Sequence, residues 1–113
     1  VKEVRRVNCD TDYIKLDVSK TSQDETMINR MMELHGRIDC AVNNAGVEGN
    51  AFPTHEATEE NWDRVLSINL TGVWLCMRKE IQVMLKQGHG SIVNMSSAAG
   101  LVGLPNWSSF VAA

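Results

Sequence analysis

The sequence predicts an α/β chain in which helices cover a parallel sheet, and three observations carry that expectation. Short apolar runs of strand length alternate with longer stretches patterned at helical spacing, in the order strand, helix, strand, long helix, strand, helix. Each apolar run gives way to a polar or glycine-containing turn. There are no repeats and no low-complexity segments. A chain of 113 residues that is 43% hydrophobic can bury one core, so one domain or part of one is expected.

The first strand is read at Tyr13 to Val18, where apolar and polar residues alternate before Ser19-Lys20-Thr21-Ser22. Ser22-Gln23-Asp24-Glu25 has capping-box spacing, and Met27, Ile28, Met31 and Leu34 share one helical face up to Gly36. Ile38 to Asn43 is compact and mostly apolar, as a buried parallel strand is, and it breaks into Asn43-Asn44-Ala45-Gly46. A loop with Gly49 and Pro53 follows, and Thr58 is placed to cap a long helix. Trp62, Val65, Leu66, Asn69, Leu70, Val73, Trp74, Met77, Ile81 and Met84 keep three- and four-residue spacing to Gln87-Gly88, with an irregularity expected at Asn69 to Gly72. Trp62, Trp74 and the methionines are read as core or helix-packing residues. Ser91 to Met95 is the third strand, closed by Ser96-Ser97-Ala98-Ala99-Gly100, and Pro105-Asn106-Trp107 leads into a last helix.

Eleven basic and fourteen acidic side chains give a net charge of −3, with neither sign gathered into a block, so no nucleic acid is expected as a partner. Cys9, Cys40 and Cys76 are an odd number without metal-ligand spacing and read as reduced thiols, which points to the cytoplasm. No apolar run approaches the roughly 18 residues of a membrane span, and the polar opening Val1 to Asp12 does not read as a signal peptide. His35, His55 and His89 lie in or beside loops without partners at metal or triad spacing and read as surface residues, so no metal is expected. Glu56, Glu59, Glu60 and Asp63 surround the start of the long helix, where acidic groups favour the dipole.

In a parallel sheet of this kind ligands bind beyond the carboxyl ends of the strands, which singles out Asp17, Asn43 to Gly46, and Ser96 to Ala98. Each of these alone is also an ordinary turn or cap. Three such ends on one sheet edge make a site assembled from several loops the better account.

Asn44-Ala45-Gly46 after a buried strand, Asn69 in the long helix, and Ser97 after Ile92-Val93-Asn94-Met95-Ser96 resemble the short-chain dehydrogenase/reductase family, over positions 13 to 113. The resemblance implies the third to fifth strands, with flanking helices, of a Rossmann-type doubly wound sheet in three α/β/α layers. It implies NAD(P)-dependent hydride transfer between nicotinamide and a small-molecule alcohol or ketone, with NAD and NADP left open. Asp17 would contact the adenine with Val18 packed beside it, and Asn44, Ala45 and Gly46 would floor the cofactor cleft. Asn69 would have a structural and proton-relay role, and Ser97 would hydrogen-bond the reacting oxygen. A homo-oligomer is implied for the complete protein.

The sequence departs from the family pattern at the residue that moves the proton. The family places a tyrosine thirteen residues after the serine, and counting from Ser97 reaches Phe110. A phenyl ring fills the space and has nothing to ionise. The family lysine would stand one position beyond Ala113, and the family's glycine-rich turn has no counterpart before Tyr13. The chain as given is therefore expected to be inactive or strongly impaired. A non-catalytic nucleotide- or protein-binding member, or an inactive fragment of an enzyme, is the alternative reading.

Overall fold

The structure, a computed structural model, describes residues 11–113; Cys9 and the rest of the opening ten residues lie outside it. Helix α1 spans Thr21–His35 and ends at Gly36, whose φ of 68° is left-handed and whose N–H returns to the Met32 carbonyl. The capping box expected at Ser22 to Glu25 does not form, because the chain turns earlier. Asp17 Oδ1 accepts from Ser19 N at 3.0 Å and from Ser19 Oγ at 2.7 Å, Lys20 N reaches Asp17 O at 3.0 Å, and Lys20 becomes an N-cap without a side-chain bond.

Strand β1, Cys40–Asn43, pairs in parallel with β2, Ser91–Asn94, in the register Cys40↔Ser91 through Asn43↔Asn94. Both are shorter than the apolar runs suggested. At the leading end the Gln87 side chain takes both backbone groups of Ile38: Ile38 N donates to Oε1 at 2.9 Å and Nε2 donates to Ile38 O at 2.8 Å. Ile38 is thus satisfied without a strand neighbour.

The strand expected at Tyr13 to Val18 is not one. The segment joins no ladder among the described residues, since alternation makes a strand only where a neighbouring backbone is available. Between it and β1 lies a cavity of about 490 Å³, lined by Tyr13, Leu16 and Val18 on one side and by Cys40, Val42 and Asn44 on the other. No direct pairing with β1 forms, as the doubly wound order requires.

A helical rod crosses the molecule in three parts: α2, Glu59–Leu66; a π-helical turn, Ser67–Gly72; and α3, Val73–Gln87. Thr58 caps it, accepting from Asn61 N at 3.2 Å, and Gly88 ends it at φ 80°. The irregularity expected at Asn69 to Gly72 is this π turn. Gly72 is obligatory there, since a Cβ would stand 2.8 Å from Val18 Cγ2 and 3.2 Å from Val18 O. Helix α4, Ser108–Ala112, follows Asn106, and α2 packs beside it.

Ile28, Ile38 and Met84 form the core, with Met27, Met31, Ala41 and Ile92 packed against it. Helices α1 and α3 thereby cover the face of the sheet that carries Ala41 and Ile92. Leu34, expected on the buried face, is exposed. Trp62 and Trp74, read as core or packing residues, are 40% and 53% exposed, because they lie on the side of the rod turned away from the sheet. Trp74 carries Arg78 over its ring, 4.8 Å from the centroid.

Two carboxyls are buried against α3. Asp24 is fully buried; its Oδ1 accepts from Cys76 Sγ at 3.7 Å and its Oδ2 has no partner. Glu80 accepts from Asn43 Nδ2 at 3.1 Å. Burial pushes both carboxyls above the usual carboxylate range, and burial beside them pushes the Cys76 thiol up to about 12. An acid with a raised folded pKa costs stability above that pKa, where it must ionise inside the fold, and the cost disappears as pH falls through it. Asp24→Asn should therefore stabilise the chain at pH 7.5 by about 1–3 kcal/mol, because the amide brings no charge into the interior, although it still leaves the position of Oδ2 unpartnered. Its advantage should shrink in thermal melts taken down to pH 5. A variant no more stable at neutral pH, or an advantage that grows in acid, would contradict this account.

Candidate active site

Four separated stretches converge beyond the carboxyl ends of β1 and β2. Asn44-Ala45-Gly46 leaves β1, Met95-Ser96-Ser97 leaves β2, Asn69 comes from the π turn, and Phe110 comes from α4; together they line a cavity of about 190 Å³. Asn69 holds the turn after β1 in place. Its Oδ1 accepts from Val47 N at 2.9 Å and its Nδ2 donates to Val47 O at 2.9 Å, so one side chain satisfies both backbone groups of the residue after Gly46. Gly46 is exposed and leaves the backbone open on its cavity side, with Asn69 Oδ1 as the one atom near a notional Cβ, at 3.6 Å.

Ser97 is the N-cap of the short turn Ala98–Gly100, its Oγ accepting from Ala99 N at 3.2 Å. That bond uses a lone pair and leaves the hydroxyl hydrogen to be donated into the cavity. Phe110 packs edge-on to Trp107, ring centroids 6.2 Å apart at 69°. Among the described residues no titratable side chain lines this cavity; its walls offer hydroxyl, carboxamide and apolar groups.

Asp17 and Val18 do not meet these residues. Asp17 is exposed, and the Ser19 hydroxyl, then the Ser19 amide, hold its carboxyl below the usual range. Val18 lines the larger cavity beside β1. The two cavities share Asn44 and Ala45 in their walls, so the turn after β1 borders both.

Sequence reasoning passed over Asn61, which is buried in the first turn of α2 and bonds to Asn50 and Ser109. A signal was present: Asn61, Val65 and Asn69 stand at four-residue spacing, and two carboxamides flanking an apolar residue on one helical stripe suggest loop-gripping groups.

The parallel sheet, the helices over it and a site at its carboxyl edge define an α/β chain of the Rossmann type. Residues 1–113 match the family model for short chain dehydrogenases, and the chain belongs to that family. It is 43% identical over 97 residues to levodione reductase of Leifsonia aquatica, an alignment covering 86% of this chain and 36% of that protein. Among solved structures, NAD+-bound xylitol dehydrogenase superposes with a TM-score of 0.95 at 29% identity, covering 98% of this chain and 43% of that one. A Tyr-to-Phe variant of ElxO with NADPH bound superposes with a TM-score of 0.87 at 29% identity, covering 98% and 46%. The chain thus spans less than half the length of these relatives.

Asn69→Ala should remove both bonds to Val47 and lower stability by about 1–3 kcal/mol, since two part-buried backbone groups lose their partners. Hydrogen exchange at the Val47 amide is the direct measurement. Protection there that survives the substitution would show that Asn69 does not hold the turn.

Proposed function

We propose that this chain is part of an NAD(P)-dependent oxidoreductase that moves hydride between nicotinamide and a small-molecule alcohol or ketone. The observation that carries the reading is the convergence of Asn44 to Gly46, Asn69, Ser97 and position 110 on one cavity at the carboxyl edge of a parallel sheet. The residues present suit a dinucleotide: an open glycine backbone at Gly46, an apolar surface at Val18, and Asn44 and Ala45 bordering the cavities on both sides. In this reading Asp17 contacts the adenine with Val18 packed beside it, and Asn44, Ala45 and Gly46 floor the cofactor cleft. The cofactor is NAD or NADP, and the solved structures above include one with each. The bound cofactor supplies the hydride acceptor or donor.

The chain's own residues account for the rest. The Ser97 hydroxyl donates to the substrate oxygen and stabilises charge that develops there. Asn69 keeps the turn at Val47 fixed while that happens, and the family resemblance gives it a proton-relay role as well. Phe110 stands where the family has its acid–base tyrosine, and its ring carries no proton. A protein with this residue unchanged is therefore inactive or strongly impaired. We place the protein in the cytoplasm, on its free Cys40 and Cys76. We read the complete protein as a homo-oligomer, on the exposed stripe Trp62, Leu70, Trp74, Ile81 and Leu85 along the rod.

In the complete protein, Phe110→Tyr should raise kcat at least about a hundredfold, the lower range for a positioned acid–base group, with cofactor affinity little changed. Adding Ser97→Ala should lower it again. Steady-state NAD(P)H absorbance over a panel of alcohols and ketones measures this. If the unaltered protein turns over as fast as Phe110→Tyr, another residue carries the proton and the assignment fails.

A further inference from the structure

Helix α4, Ser108–Ala112, carries position 110, so the contacts that fasten its first turn bear on how that position is held. One side chain fastens it to the loop that leaves the Asn44–Gly46 turn. Asn61, 7% exposed, accepts from Asn50 N at 2.8 Å through Oδ1 and donates through Nδ2 to Asn50 O at 3.3 Å and to Ser109 Oγ at 3.4 Å. A carboxamide has two N–H groups, and these two acceptors use one each. Ser109, 3% exposed, immediately precedes Phe110.

The contact has no slack. Gly49 sits over it at φ 79°, where a Cβ would stand 2.5 Å from Val65 Cγ2 and 2.9 Å from Asn61 Oδ1. The loop is pinned again at Val47 by Asn69, from the same rod, and Phe52 N donates to Asn106 O at 2.9 Å just before α4. Loop and helix are thus braced as one unit, and Asn61 is the group that touches both.

We propose that Asn61 is a positioning residue: by bonding Asn50 and Ser109 at once it sets how position 110 stands toward Asn69 and Ser97. The inference rests on the oxidoreductase reading above. Aspartate could still accept from Asn50 N and from the Ser109 hydroxyl, but it offers no donor to Asn50 O. Leucine keeps the volume and loses every bond.

The test uses the complete protein in the Phe110→Tyr background, with Asn61→Leu, Asn61→Asp and Ser109→Ala added. Asn61→Leu should lower kcat by about 10- to 100-fold, the effect of a small misplacement of a reacting group, while KM for the cofactor stays close to its starting value. Asn61→Asp should recover part of the loss. Ser109→Ala should cost less, and its effect should not add to that of Asn61→Leu. An unchanged kcat in folded Asn61→Leu overturns the proposal. So does a loss that raises KM in proportion, or one that matches the unfolded fraction. If Asn61→Leu does not fold, Ser109→Ala decides, and an unchanged kcat there overturns it. If Phe110→Tyr itself shows no turnover, the oxidoreductase reading fails separately. Hydrogen exchange then judges Asn61: amides of Asn50 and Val111 should exchange about tenfold faster in Asn61→Leu, with Val47 unaffected. Unaltered exchange at both overturns the brace.

Discussion

A side-chain carboxamide carries the same donor and acceptor as a peptide group, and this structure uses that likeness three times along one helical rod. Asn61 takes both backbone groups of Asn50, Asn69 both of Val47, and Gln87 both of Ile38. These three residues lie on the approaches to β1 and on the exit from it, where a four-residue strand can no longer satisfy its flanking chain. An unpaired backbone group shielded from water costs about as much as a lost hydrogen bond, so these grips decide where the loops run. The strand is short because the rod takes over the pairing at both ends.

The π turn makes this division of labour work. Val65 and Cys76 are eleven positions apart, about three turns, and in an unbroken α-helix they would share a face. The wider turn at Ser67–Gly72 rotates them apart. Val65 packs under Gly49 and the loop after β1, while Cys76 meets Asp24 of α1. One helix thereby supports the site with its first half and the core with its second, and Asn69 sits in the irregular turn between them.

The same geometry explains why the fold tolerates an unfavourable interior. Asp24 and Glu80 are buried near Cys76 with one oxygen of Asp24 unpartnered, next to the large cavity beside β1. Val42 and Val93 remain exposed on the uncovered face of the sheet. These tensions lie around the core and away from the small cavity of Ser97 and Asn69, whose walls hold hydroxyl, amide and backbone groups and no charge. A neutral cavity of that kind can bind and orient a reacting oxygen. Under the proposed function proton transfer falls to position 110, where this sequence has a phenyl ring.

Much of this was legible in the sequence, because local chemistry fixes it. The α/β alternation, the Thr58 cap, the helix stops at Gly36 and Gly88 and the irregularity near Asn69 follow from spacing and side-chain type. Asn69, Ser97 and position 110 are instead singled out by resemblance to the family, and Asp17 and Val18 do not line their cavity. What pairs with what depends on neighbours distant in the chain, and no periodicity records them. Tyr13 to Val18 has a strand's alternation but joins no ladder among the described residues. Leu34, Trp62 and Trp74 have the spacing of buried residues, yet exposure is decided by whether another element covers that side. The part played by Asn61 is likewise tertiary, because its partners lie 11 and 48 positions away and only folding brings Asn50 and Ser109 to one carboxamide.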